Sequence, residues 1–113
     1  MISIEALKAL GCNTDEGLKR CLGDEEFYLE FVPQALERSR YENLEKLIAQ
    51  KRLDEAFEAA HALKGALANL SLDPLLTPVV EITELLRSRT DIDYSPLLSE
   101  LWTQYSRFEK ELL

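Results

Sequence analysis

This sequence predicts an all-α fold, an antiparallel four-helix bundle with short N-terminal helices. Three observations carry that reading: every long segment repeats its apolar residues with the 3.6-residue period, no stretch alternates at strand spacing, and capping residues and glycines punctuate the chain at helix-length intervals. With 113 residues, 46% of them hydrophobic, there is enough apolar material for one core, so residues 1–113 are expected to form a single domain.

The elements follow in order. A short helix from about Ser3 to Leu10 is stopped by Gly11 and a second, from about Asp15 to Leu22, by Gly23, because helices commonly end on a left-handed residue that glycine adopts freely. Asp24 is placed to cap a long helix reaching about Gln50, with Glu25 and Glu26 in its first turn, where the helix dipole favours carboxylates. Pro33 interrupts that helix. The proline removes the bond to the Leu29 carbonyl while the apolar pattern continues on both sides, so a kink near Phe31 is expected, not a break. Asp54 is a good N-cap for a helix over roughly Glu55 to Leu70. The next helix, through Leu86, starts at either Asp73-Pro74 or Thr77-Pro78, each a capping residue followed by proline. Ser95-Pro96 opens the last, in which Leu97, Leu101, Tyr105, Phe108 and Leu112 recur at steps of four and three.

Charge and composition exclude several function classes. Thirteen basic residues against 21 acidic ones give a net charge of −8, a field that repels phosphate backbones and anionic lipid heads, so neither nucleic acid nor membrane is an expected partner. The start, Met1-Ile2-Ser3-Ile4-Glu5, lacks a basic region and a long apolar run, and the expected compartment is the cytoplasm. Cys12 and Cys21 have neither the CxxC spacing of a redox pair nor the companions of a zinc site, and read as reduced, mostly buried thiols.

One histidine occurs, His61, within Ala60-His61-Ala62-Leu63-Lys64-Gly65. At about 100° per residue, Ala56, Ala60, Leu63, Leu67 and Leu70 gather into one stripe, and His61 points roughly 140° from its centre. Glu58, Gly65 and Asn69 share its side, with Lys64 nearer the edge one turn on. A lone helical histidine is most often a packing or surface residue. Zinc usually wants at least three protein ligands, no GxSxG elbow accompanies the residue, and no glycine-rich phosphate loop is present. A phosphoacceptor role uses the surroundings best. Imidazole ordinarily titrates at about 6.5, so near neutral pH an exposed ring offers a lone pair to phosphorus, and Lys64 can lie against the phosphoryl oxygens. Gly65 leaves room beside the ring for another protein's active site, at a helix-propensity cost of about 1 kcal/mol against alanine. Close helix packing is the other reason for a glycine there.

The stretch His61-Ala62-Leu63-Lys64-Gly65 resembles the HxLKG core of the histidine-containing phosphotransfer (HPt) domains of bacterial multistep phosphorelays, and Asn69-Leu70 matches the continuation that usually reads NLG. Upstream, Gly17-Leu18-Lys19-Arg20 followed by Gly23-Asp24-Glu25-Glu26-Phe27-Tyr28 is similar to the segment leading into the first bundle helix of many such domains. The resemblance runs from about Leu10 to Leu86. Ser71 departs from it, since the family more often has glycine there, which leaves that helix end open; Pro78 does the same for the next helix start.

The resemblance implies a phosphocarrier without kinase activity of its own. A phosphoryl group would be accepted on the His61 nitrogen remote from the ring's attachment point and passed between receiver-domain aspartates, with Lys64 as electrostatic neighbour. Glu58, Ala62, Gly65, Ala68 and Asn69 are the expected partner-binding residues. The implied partners are response-regulator receiver domains and hybrid sensor kinases, with magnesium in the receiver and no cofactor in this chain. A monomer is expected, and the start at Met1 favours a free-standing protein. The alternative is an adaptor that docks receivers without transfer, which would not need both His61 and Lys64.

Overall fold

Residues 2–113, which the computed structural model describes, form seven α-helices and no strand: α1 (Ile4–Leu10), α2 (Thr14–Arg20), α3 (Glu25–Ala35), α4 (Arg38–Ala49), α5 (Leu53–Asn69), α6 (Asp73–Arg87) and α7 (Ser95–Leu112). Side chains start the first three. Ser3 accepts from the Ala6 amide, Asn13 from Glu16 and Asp24 from Phe27, satisfying amides that a first helical turn leaves without partners. The stops share one device. Helices α1, α2, α4, α5 and α6 run into the left-handed residues Gly11, Leu22, Lys51, Ser71 and Arg89. In each case the next amide bonds back to the carbonyl five residues before it, as Leu72 does to Leu67 at 3.0 Å. Only one of the five is glycine, so the other four turns hold a conformation that costs an L-residue roughly 1–2 kcal/mol.

Three expectations about boundaries are corrected. The long helix from Asp24 breaks instead of kinking: α3 ends at Ala35, Glu37 turns extended at ψ 116°, and α4 begins at Arg38. Two tyrosine hydroxyls stabilise the break, Tyr41 donating to the Ala35 carbonyl at 2.8 Å and Tyr105 to Leu36 at 2.6 Å. Carbonyls that a continuous helix would have occupied are thereby satisfied. Helix α2 ends at Arg20, short of Leu22, because Leu22 itself takes the left-handed turn ahead of Gly23. Asp54 does not cap α5. It lies within the first turn, and its carboxylate is taken by Arg89, 35 residues along the chain. Of the two possible starts for α6 the chain uses Asp73-Pro74, leaving Pro78 buried inside the helix.

The core is built on α5. Its stripe of Ala56, Ala60, Leu63 and Leu67, with Leu70 just beyond, is buried as the periodicity predicts, and α4 and α6 pack against it. Three-residue connections, Lys51 flanked by Gln50 and Arg52, and Ser71 flanked by Leu70 and Leu72, make both pairs antiparallel. Helix α7 packs on α6 and closes the bundle toward α4 through aromatic side chains. Tyr41 and Tyr105 lie 4.6 Å apart between ring centroids, and Trp102 donates to Glu45 at 3.0 Å. Cys12 and Cys21 are free and buried. Burial, reinforced by the Asp73 carboxylate, pushes the Cys12 thiol up to about 12, so it stays protonated and is no nucleophile. No described helix is long and apolar enough to cross a membrane.

The N-terminal segments are fastened to the far end of α5. Arg20 donates to the Ala68 carbonyl at 2.5 Å and to the Ser71 hydroxyl at 2.7 Å, and the Tyr28 hydroxyl donates to Leu70 at 2.8 Å. The Asn13 amide donates to the Ser71 carbonyl at 3.2 Å. Gly17 makes this approach possible, because a Cβ there would lie 2.6 Å from the Leu70 oxygen and 2.6 Å from the Tyr28 ring. Gly17→Ala is therefore expected to lower stability by about 1–2 kcal/mol, crowding outweighing the gain in helix propensity. Chemical denaturation of the two proteins checks it; an alanine variant as stable as the original would contradict the packing role.

Candidate functional site

With one face of α5 sealed, the opposite face carries the candidate residues. Glu58, His61, Ala62, Gly65 and Asn69 are exposed; Lys64 and Ala68 are half-buried, and the Ala68 carbonyl is the one that Arg20 holds. All seven thus lie on or at the margin of one surface, over a helix whose other side is fixed in the core. The spacing that buries Ala60 and Leu63 is what turns His61 outward.

Gly65 stands in open space. A Cβ built there meets no atom within 4 Å, so close helix packing is not the reason for this glycine. Lys64, one turn from His61, is half-buried and makes no ion pair among the described residues. The His61 ring stacks on Phe57, one turn earlier, at 5.6 Å between centroids and 22° between planes. The guanidinium groups of Arg87 and Arg89 lie over the Phe57 ring at 5.0 and 5.5 Å, bringing two cations from the end of α6 to the same neighbourhood. Ser71 resolves the helix end that the sequence left open, taking the left-handed turn at φ 53° with its hydroxyl bonded to Arg20.

A cleft of about 590 Å³ runs beside this face, lined by Arg20, Phe27, Phe31, Arg40, Ala66 and Asn69. Phe27 and Phe31 meet edge to face at 4.6 Å within it. His61 is not part of its lining and stands on exposed helix surface. An imidazole so placed has no concave walls of its own around it. Among the described residues no group of three or more His, Cys, Asp or Glu side chains is arranged to hold a metal ion.

Sequence reasoning missed Phe57, Arg87 and Arg89. The aromatic pair was visible as an i, i+4 spacing with His61. The arginines were not, because only the docking of α6 on α5 brings them there.

Compared with known proteins, the chain matches the family model described as the Hpt domain over residues 28–111. The match takes in α4 to α7 and most of α3, extending past Leu86, while the upstream Gly17–Arg20 stretch falls outside it. No curated protein and no solved structure matches the chain.

Because Gly65 has free space around it, Gly65→Ala should raise stability by up to about 1 kcal/mol, the reverse of Gly17→Ala. Thermal melting reads the sign directly. A lower melting temperature would mean that the site is packed after all.

Proposed function

The chain belongs to the Hpt domain family, whose members are phosphocarrier modules of phosphorelays and not kinases, and on that footing we propose that His61 relays a phosphoryl group between the aspartates of receiver domains. The observation that carries the proposal is the exposed His61 on a helix face whose opposite side is locked in the core, with Lys64 and an unobstructed Gly65 one turn on.

In the transfer, the lone pair on Nε2 attacks the phosphorus of a receiver's aspartyl phosphate. The new N–P bond forms as the bond to the aspartate oxygen breaks, and the carboxylate leaves. The proton on Nδ1 stays in place, so no base is required. Lys64 offsets charge on the phosphoryl oxygens as it spreads in a loose transition state. Delivery to a second receiver is the same step reversed. Magnesium is held by the receiver in this scheme, and the chain acts as a monomer in the cytoplasm. Glu58, Ala62, Gly65, Ala68 and Asn69 form the docking face for receiver domains and for the receivers of hybrid sensor kinases. The apolar cleft at Phe27 and Phe31 adjoins that face through Asn69.

Incubation with a phosphorylated receiver domain, followed by locating the label, tests the proposal. His61→Gln should remain folded and take no label, and label retained by that variant would refute the assignment. Receiver binding without any transfer to the unmutated protein would mark an adaptor instead. Lys64→Ala should slow transfer about tenfold to a hundredfold while leaving docking largely intact, because its interaction strengthens as charge develops. Transfer at the original rate in that variant would remove Lys64 from the mechanism. Gly65→Gln should keep the fold and sharply reduce transfer by blocking the approach to the ring; normal transfer in a stable variant would contradict the clearance role.

A further inference from the structure

We propose that Phe57 is a positioning residue that holds the His61 imidazole in one orientation, with Arg87 and Arg89 fixing Phe57 from the end of α6. The inference rests on the assignment of His61 as the nucleophile. Phe57 precedes His61 by four residues on α5, and the two rings lie 5.6 Å apart at 22°, close to parallel. An exposed imidazole on a helix is otherwise free to exchange between staggered rotamers, and a nucleophile that does so spends part of its time turned away from its target. Stacking engages the face of the ring and leaves its edge, where the nitrogen lone pair lies, open to a partner.

Phe57 is itself held. It is half-buried, and the Arg87 and Arg89 guanidinium groups lie over its ring at 5.0 and 5.5 Å. Arg89 is fixed in turn, donating to the carbonyls of Leu86 at 2.8 Å and Arg87 at 3.1 Å and pairing with the Asp54 carboxylate in the first turn of α5. Arg87 pairs with Glu84 at 3.3 Å. A leucine would fill the half-buried space beside α6 equally well, but it would offer the imidazole no planar face. The chain thus connects the last turn of α6, through one aromatic ring, to the orientation of the reacting nitrogen.

The test compares Phe57→Leu and Phe57→Met, which keep apolar bulk without a planar face, with Phe57→Tyr, which restores the ring. Two quantities are read in each folded variant. Three-bond couplings by nuclear magnetic resonance give the His61 side-chain rotamer in the unphosphorylated protein. Single-turnover transfer from a phosphorylated receiver, followed across receiver concentrations, gives the rate at saturation and the half-saturating concentration. The leucine and methionine variants should show averaged couplings, a saturating rate lowered about threefold to tenfold, and a half-saturating concentration within about twofold of the original. The tyrosine variant should match the original in all three. Unchanged couplings, an unchanged saturating rate, or a loss confined to half-saturation would overturn the proposal. If the unmutated protein accepts no phosphoryl group, the proposed function fails, and the couplings alone decide whether Phe57 orients the imidazole.

Discussion

The C-terminal end of α5 is the point at which four segments of the chain meet, and the rest of the arrangement depends on it. The carbonyls of Ala68, Leu70 and Ser71, at the end of α5 and just past it, accept from Arg20, Tyr28 and the Asn13 amide, with the Ala68 carbonyl also accepting from the Ser71 amide. Ser71 turns left-handed with its hydroxyl on the same arginine, so one guanidinium both satisfies a helix end and steadies the conformation that ends it. The N-terminal segments are thereby anchored to the helix that presents His61. Because these bonds engage the end of α5 and the stripe engages its inner face, the outward face is left free while the helix is held from within and at its end.

Two helical glycines show how differently the two sides of the molecule use the same residue. Gly17 is buried where the Leu70 carbonyl and the Tyr28 ring come so close that a single carbon would collide with both, whereas Gly65 faces empty space. The first lets two parts of the chain approach each other; the second has open space beside it. On the proposed reading, His61 is a nucleophile on an open surface, one turn from Lys64, and is suited to an acidic partner that brings its own walls. In that proposal this chain contributes a positioned imidazole and the Lys64 charge, and the rest of the reaction site comes from the partner.

The inner stripe of α5 and the exposure of His61 were legible in the sequence, because each follows from helical rotation alone, whereas the sequence left Gly65 open between clearance and close packing and the empty space around it decided the matter. What was not legible depended on residues distant along the chain. Whether Pro33 kinks or breaks its helix is decided by the hydroxyls of Tyr41 and Tyr105, which donate to the Ala35 carbonyl at the end of α3 and to the Leu36 carbonyl in the gap. Asp54 has the composition of a cap but is claimed by Arg89. The helix ends expected near Gln50 and Leu86 fall within one residue of those observed, but the left-handed residues that make those stops, Lys51 and Arg89, are not glycines and carry no such signal in the sequence. The HxLKG-like stretch pointed to the family that residues 28–111 match, and the Phe57 stack is implicit in the i, i+4 spacing of two planar rings on one helix.

The central claim is that the in-plane edge of one exposed imidazole carries the chemistry, and the bond it forms can be observed directly. Phosphorus and nitrogen magnetic resonance on protein enriched with nitrogen-15 histidine, after reaction with a phosphorylated receiver domain, reports which atom holds the phosphorus. The account predicts a single phosphoramidate signal coupled to Nε2 of His61. A signal coupled to Nδ1, or phosphorus carried on an oxygen elsewhere in the chain, would contradict it.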